Sequence, residues 1–125
     1  MKLRRDERGA AVVEFAIVLP ILVLFIFGIV EFGRAYNARI ELTSAVREGA
    51  RAVALGGDAV TATKNGAPGL PSSRITVTTT TTCPSGAAAG TNASVSASYP
   101  FQYVIPLFRS GTWTLKATGV MRCGG

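Results

Sequence analysis

The chain has 125 residues, of which 48% are apolar and only 16% charged, where soluble domains carry about 25% charged residues. That balance points to one small domain plus an apolar anchor. The net charge of +6 is spread without a dense basic stripe, which argues against nucleic-acid binding, and the lack of histidine removes Ser-His and Cys-His nucleophile pairs and most zinc sites.

Residues 1–9 carry Lys2, Arg4, Arg5 and Arg8 against Asp6 and Glu7. A basic flank ahead of an apolar run favours a cytoplasmic N-terminus, with the remainder of the chain outside. From Ala10 to Val30 stand 21 residues in which Glu14 is the only charge. As a helix they reach roughly 31 Å, close to the ~30 Å hydrocarbon core of a bilayer. A secretory signal cut near Gly33-Arg34-Ala35 fits poorly, because the run exceeds the ~7–15 apolar residues of such signals. An uncleaved signal anchor, with Glu14 tolerated near the interface, stands as an alternative.

The helical pattern continues through residues 31–57, which contain no proline and end at Gly56-Gly57, a helix stop. Phe32, Tyr36, Ile40, Thr43, Val46, Ala50 and Val53 recur at helical spacing and are expected to pack on the rest of the domain. Glu31 with Arg34, and Glu48 with Arg51, read as weak pairs on a solvated face.

Residues 58–73 are rich in Gly, Pro and small polar residues and read as a loop. Residues 74–83, with five consecutive threonines at 78–82, read as an exposed strand. A turn is expected at 84–91, then alternating strands at 92–99 and 112–123. The apolar stretch 100–108 lacks a period and reads as a short helix or an extended cap. Tyr99 and Trp113 are expected in the core.

Strand parity places Cys83 and Cys123 on the apolar faces of their strands, each at the C-terminal end. If the middle strand runs antiparallel to both, the two ends share one sheet edge, and a Cys83–Cys123 disulfide is expected in an oxidising compartment.

Arg8-Gly9 followed by Ala10-Ala11-Val12-Val13-Glu14-Phe15 resembles a type IV prepilin processing site, in which a short basic leader ends in Gly. Cleavage after Gly9 would expose the α-amine of Ala10, four residues from Glu14. Helical neighbours four apart face each other, so this amine can pair with Glu14 in the same or an adjacent subunit. Together with Leu19-Pro20, "FGIVEFGR" at 27–34 and "AVREGARAVA" at 45–54, these residues resemble the TadE-like family, the minor pilins or pseudopilins of the Tad (tight adherence) type IV pilus system. Glu14-Phe15 and the long C-terminal region set the chain apart from the shorter Flp major pilins.

The resemblance implies an α+β, pilin-like fold: one long N-terminal helix, half membrane-spanning and half amphipathic, packed on a small antiparallel sheet. Leader, span, amphipathic continuation and extracytoplasmic sheet domain would occupy residues 1–9, 10–30, 31–57 and 58–125. It further implies processing by a prepilin peptidase, single-pass residence in the bacterial inner membrane, and possible incorporation in a surface pilus. The implied partners are a companion pseudopilin, the Flp major pilin and the pilus secretion ATPase apparatus. Beyond Glu14 the only acids are Glu31, Glu41, Glu48 and Asp58, so no catalytic set, metal, cofactor or small-molecule substrate is expected. The alternative function is an extracytoplasmic binding or adhesion module on the uncleaved anchor.

Overall fold

The computed structural model describes residues 3–84, 88 and 90–124, with side chains from residue 6 onward. The start of the expected leader and the middle of the turn expected at 84–91 lie outside the described residues. Helix α1 runs unbroken from Leu3 to Ala54, 52 residues, through both Gly9 and Pro20. It stops where Gly56 takes a left-handed conformation, φ 81°, and the Gly57 N–H donates to the Ala52 carbonyl at 2.7 Å. Glycine accepts that backbone without a Cβ penalty, and the bond satisfies a carbonyl the helix end would leave orphaned.

The segment 58–73 is not simply a loop. Residues Ala59–Asn65 form a second helix, α2, and Ser72–Arg74 a single 3-10 turn. Asp58 starts α2 by accepting the Thr61 and Val60 N–H groups at 2.9 and 3.3 Å, with the Thr61 hydroxyl donating to the same carboxylate. Ala59 and Thr63, one turn apart, then bury against α1. A cap and a buried face outweigh the turn-prone composition.

These hydrogen bonds hold the Asp58 carboxyl below its ordinary value of about 3.8, the Thr61 hydroxyl contributing most, then the Thr61 N–H, with the Val60 N–H adding and burial opposing. A depressed folded pKa adds stability above the unfolded value, and that stability is lost as pH falls through the folded one. The difference in urea midpoint between the parent chain and Asp58→Asn is therefore expected to be present at neutral pH and to vanish in strong acid. A difference unchanged by pH would refute the assignment.

Strands β1 (Thr76–Thr81), β2 (Asn92–Ile105) and β3 (Arg109–Arg122) form one sheet in the order β1-β2-β3, with both pairings antiparallel. The stretch 100–108 takes the extended alternative: β2 continues to Ile105 before the turn. Pro100 is tolerated inside it because β1 pairs only as far as Ser98. Its side of the strand has no ladder partner to lose. The Pro100 carbonyl instead accepts Arg74 Nη2 at 2.8 Å, and the Arg74 guanidinium lies 5.3 Å from the Tyr99 ring centre.

The α+β layout is thus one long helix on a small antiparallel sheet. The helix face that packs is not the expected stripe. Ala38, Leu42, Ala45, Val46, Gly49, Ala50, Val53 and Ala54 are buried. Phe32, Tyr36 and Ile40 are exposed, and Thr43 is half-buried. Only the last three stripe positions, Val46, Ala50 and Val53, were placed correctly. Small side chains win because they let the helix axis approach the sheet closely. Under them lie Ala93, Val95, Ala97, Tyr99 and Phe101 of β2 and Leu115 of β3. Tyr99 is core, as expected. Trp113 is 60% exposed, contrary to expectation. Its parity is right, but it lies past the part of the sheet that the buried stripe covers.

Candidate functional site

The residues expected to matter fall in two distant places. Gly9, Ala10, Glu14 and Phe15 lie near the start of α1, beyond the reach of the sheet, and all are exposed. A side chain placed on Gly9 would meet nothing within 4 Å. The peptide after Gly9 is accessible, although it is helical. Gly is about 1 kcal/mol poorer than Ala in a helix interior, so local unwinding there is cheap. Ala10 and Glu14 are one turn apart, roughly 6 Å along the axis. Glu14 has no ion-pair or hydrogen-bond partner among the described residues.

At the far end, β1 and β3 both run antiparallel to β2, so their C-terminal ends meet at one edge. Cys83 and Cys123 are joined there by a disulfide with Cα atoms 5.6 Å apart. The Cys123 N–H donates to the Thr91 carbonyl at 2.9 Å, which ties the end of β3 to the start of β2.

A third place was read in the sequence only as a weak surface pair, Glu31 with Arg34. Glu31, the first charge after the apolar run, has a side chain only 13% exposed. Its Oε1 accepts Arg34 Nη1 at 2.7 Å and its Oε2 accepts the Val104 N–H at 3.4 Å, while the Arg34 guanidinium sits 5.5 Å from the Phe101 ring centre. The expected Glu31–Arg34 pair forms, with the arginine 56% exposed, and the acid in addition brackets α1 to the β2–β3 hairpin. Its sequence signal, an acid and an arginine three apart at the end of an apolar run, is too common to identify it. The Glu48–Arg51 pair does not form among the described residues.

Among the described residues one helix is long and apolar enough to cross a membrane, and none of its most apolar window is covered by the domain. A helix apolar all round needs lipid or other helices about it. The arrangement defines a class: a small disulfide-closed sheet carried on a helix suited to membrane anchoring. The model of the family described as TadE-like protein matches residues 9–51. That segment, 43 of the 125 residues, is similar to the TadE-like family. The match covers most of α1 and stops before the sheet. No curated protein and no solved structure matches the chain.

Proposed function

We propose that the chain is a minor pilin or pseudopilin of the Tad type IV pilus, structural and without chemistry of its own. Residues 10–30 cross the bacterial inner membrane with the N-terminus cytoplasmic, and the sheet domain stands outside. A prepilin peptidase removes residues 1–9 after Gly9. The new ammonium of Ala10 then pairs with Glu14, within one subunit or between staggered neighbours. The companion pseudopilin, the Flp major pilin and the secretion ATPase apparatus are the partners of assembly.

The observation that carries this reading is the bare start of α1, where an accessible Gly9 precedes Glu14, which has no partner among the described residues and is the one charge in the apolar run 10–30. A lone acid in mid-bilayer costs up to about 3 kcal/mol, less near the interface, and an ammonium one turn away offsets it. Phe32, Tyr36 and Ile40, left exposed along one face of α1, add a surface for neighbouring helices.

Intact-mass measurement of the protein from its native host is expected to give a species beginning at Ala10. In Glu14→Ala the same cut is expected, with reduced incorporation alongside its partners. A full-length species in the presence of active peptidase would instead favour the anchored binding module, and normal piliation by Glu14→Ala would remove the pairing mechanism.

A further inference from the structure

The β2–β3 hairpin is longer than the core it serves. Its pairing with β1 ends at Ser98 and its last buried residue on β2 is Phe101, yet β2 runs on to Ile105 and β3 begins only at Arg109. The overhang lies along α1 and points back toward the helix N-terminus. The Val104 N–H on Glu31 sets its height. Past that level Pro106, Leu107 and Phe108 come together with Leu19, Leu24 and Phe27 around one apolar cleft. At about 1.5 Å per residue, Phe27 stands roughly 6 Å and Leu19 roughly 18 Å before Glu31 along the helix. The turn therefore sits beside the apolar run, not beyond it.

Two surfaces side by side at one height share one medium. The helix window there is uncovered, Leu107 is 99% exposed and Phe108 75%. Leu107 also holds φ 68°, a conformation bulky residues rarely adopt. Nothing in the domain rewards a leucine held there in water.

The surrounding chemistry is graded. Among residues 100–115 the only charge is Arg109, directly after the turn, whose long stem allows its guanidinium to reach up to anionic headgroups. Higher on the hairpin, Tyr103 and Trp113 line a groove with Gly28, Glu31 and Phe32, at the end of the apolar run, where aromatic residues favour the membrane–water boundary. Part of the turn's backbone is paired: Ile105 stands opposite Arg109 at the end of the ladder, the Phe108 N–H donates to the Ile105 carbonyl at 3.2 Å, and Pro106 has no N–H to satisfy. That pairing lowers the cost of placing backbone in lipid.

We infer that the turn Ile105–Phe108 is a second membrane-contacting element, inserted among lipid acyl chains beside the chain's own helix, with Arg109 at the headgroups. The inference rests on residues 10–30 spanning the membrane. It makes the domain a two-point rather than a hinged attachment, and release into a fibre would have to free both points.

Trp113 is the only tryptophan, and its exposure makes Trp113→Phe a usable background. In that background single tryptophans are placed by Leu107→Trp in the turn, Phe25→Trp in the helix and Val120→Trp at the opposite end of the sheet. The full chain is reconstituted in phosphatidylcholine–phosphatidylglycerol vesicles with bromine on the acyl chains. Loss of emission is expected for Leu107→Trp and Phe25→Trp, and none for Val120→Trp. Quenching of Phe25→Trp without quenching of Leu107→Trp overturns the inference and leaves the span intact. Blue-shifted but unquenched emission from Leu107→Trp would mean that protein covers the turn, which also overturns it. Failure to quench Phe25→Trp removes the span and the inference together.

Discussion

Gly119→Val is expected to destabilise the domain by about 3 kcal/mol, the upper part of the range for overpacked cores. Gly119 lies on the inner face of β3, opposite the fully buried Val95 of β2. A Cβ there would stand 2.6 Å from the Val46 carbonyl carbon and 2.9 Å from the Arg47 nitrogen, and closer still to the Val46 carbonyl oxygen. These are backbone atoms in the middle of α1. They have no rotamer to change, so relief requires moving the helix off the sheet and opening contacts along its buried stripe. Urea unfolding of the detergent-solubilised chain, followed by circular dichroism, reads the effect. A loss below about 1 kcal/mol, typical of an ordinary surface change, would mean that the helix does not approach β3 so closely.

Removing the disulfide is expected to cost about as much by a different route. Cys83 and Cys123 close a loop of 40 residues, for which chain-entropy estimates give ~4 kcal/mol. Small domains hold only ~5–15 kcal/mol in total. The bond also secures the weakest part of the sheet. β1 is short, lies at an edge and shifts register between Thr79 and Thr81, and its threonines beyond Val77 contribute no buried side chain. Reductant, or Cys83→Ser with Cys123→Ser, is expected to lower the urea midpoint sharply, with β1 loosening first. Thiol titration of the denatured, unreduced chain provides the check: no reactive thiol is expected, and two would refute the bond. The outward-facing location proposed above would supply the oxidant such a bond requires.

Most of what concerns the helix was legible along the chain because it depends on neighbours in sequence. The apolar run, the stop at Gly56 and the register of Gly9, Ala10 and Glu14 are one-dimensional features. Strand alternation was legible for the same reason, since successive side chains point to opposite faces whatever the partner. That parity carried Tyr99 to the core and brought both cysteines to one edge once the antiparallel order was known.

Contacts between elements were decided elsewhere. Ranked by hydrophobicity, Phe32, Tyr36 and Ile40 looked like the buried stripe, yet close approach of a helix to a sheet selects small side chains. Ala38, Ala45, Gly49 and Ala50 supply them, and Gly119 admits the helix backbone itself. Trp113 obeys strand parity but lies past the covered part of the sheet. The second helix needed the Asp58 cap and a surface for Ala59 and Thr63. Glu31 became a bracket only because Val104, 73 residues later, arrives beside it. Spacing along the chain carries local geometry, whereas the distance between two backbones is set jointly by every residue at their contact, and that distance chose which apolar surfaces were covered and which were left for lipid or a neighbour.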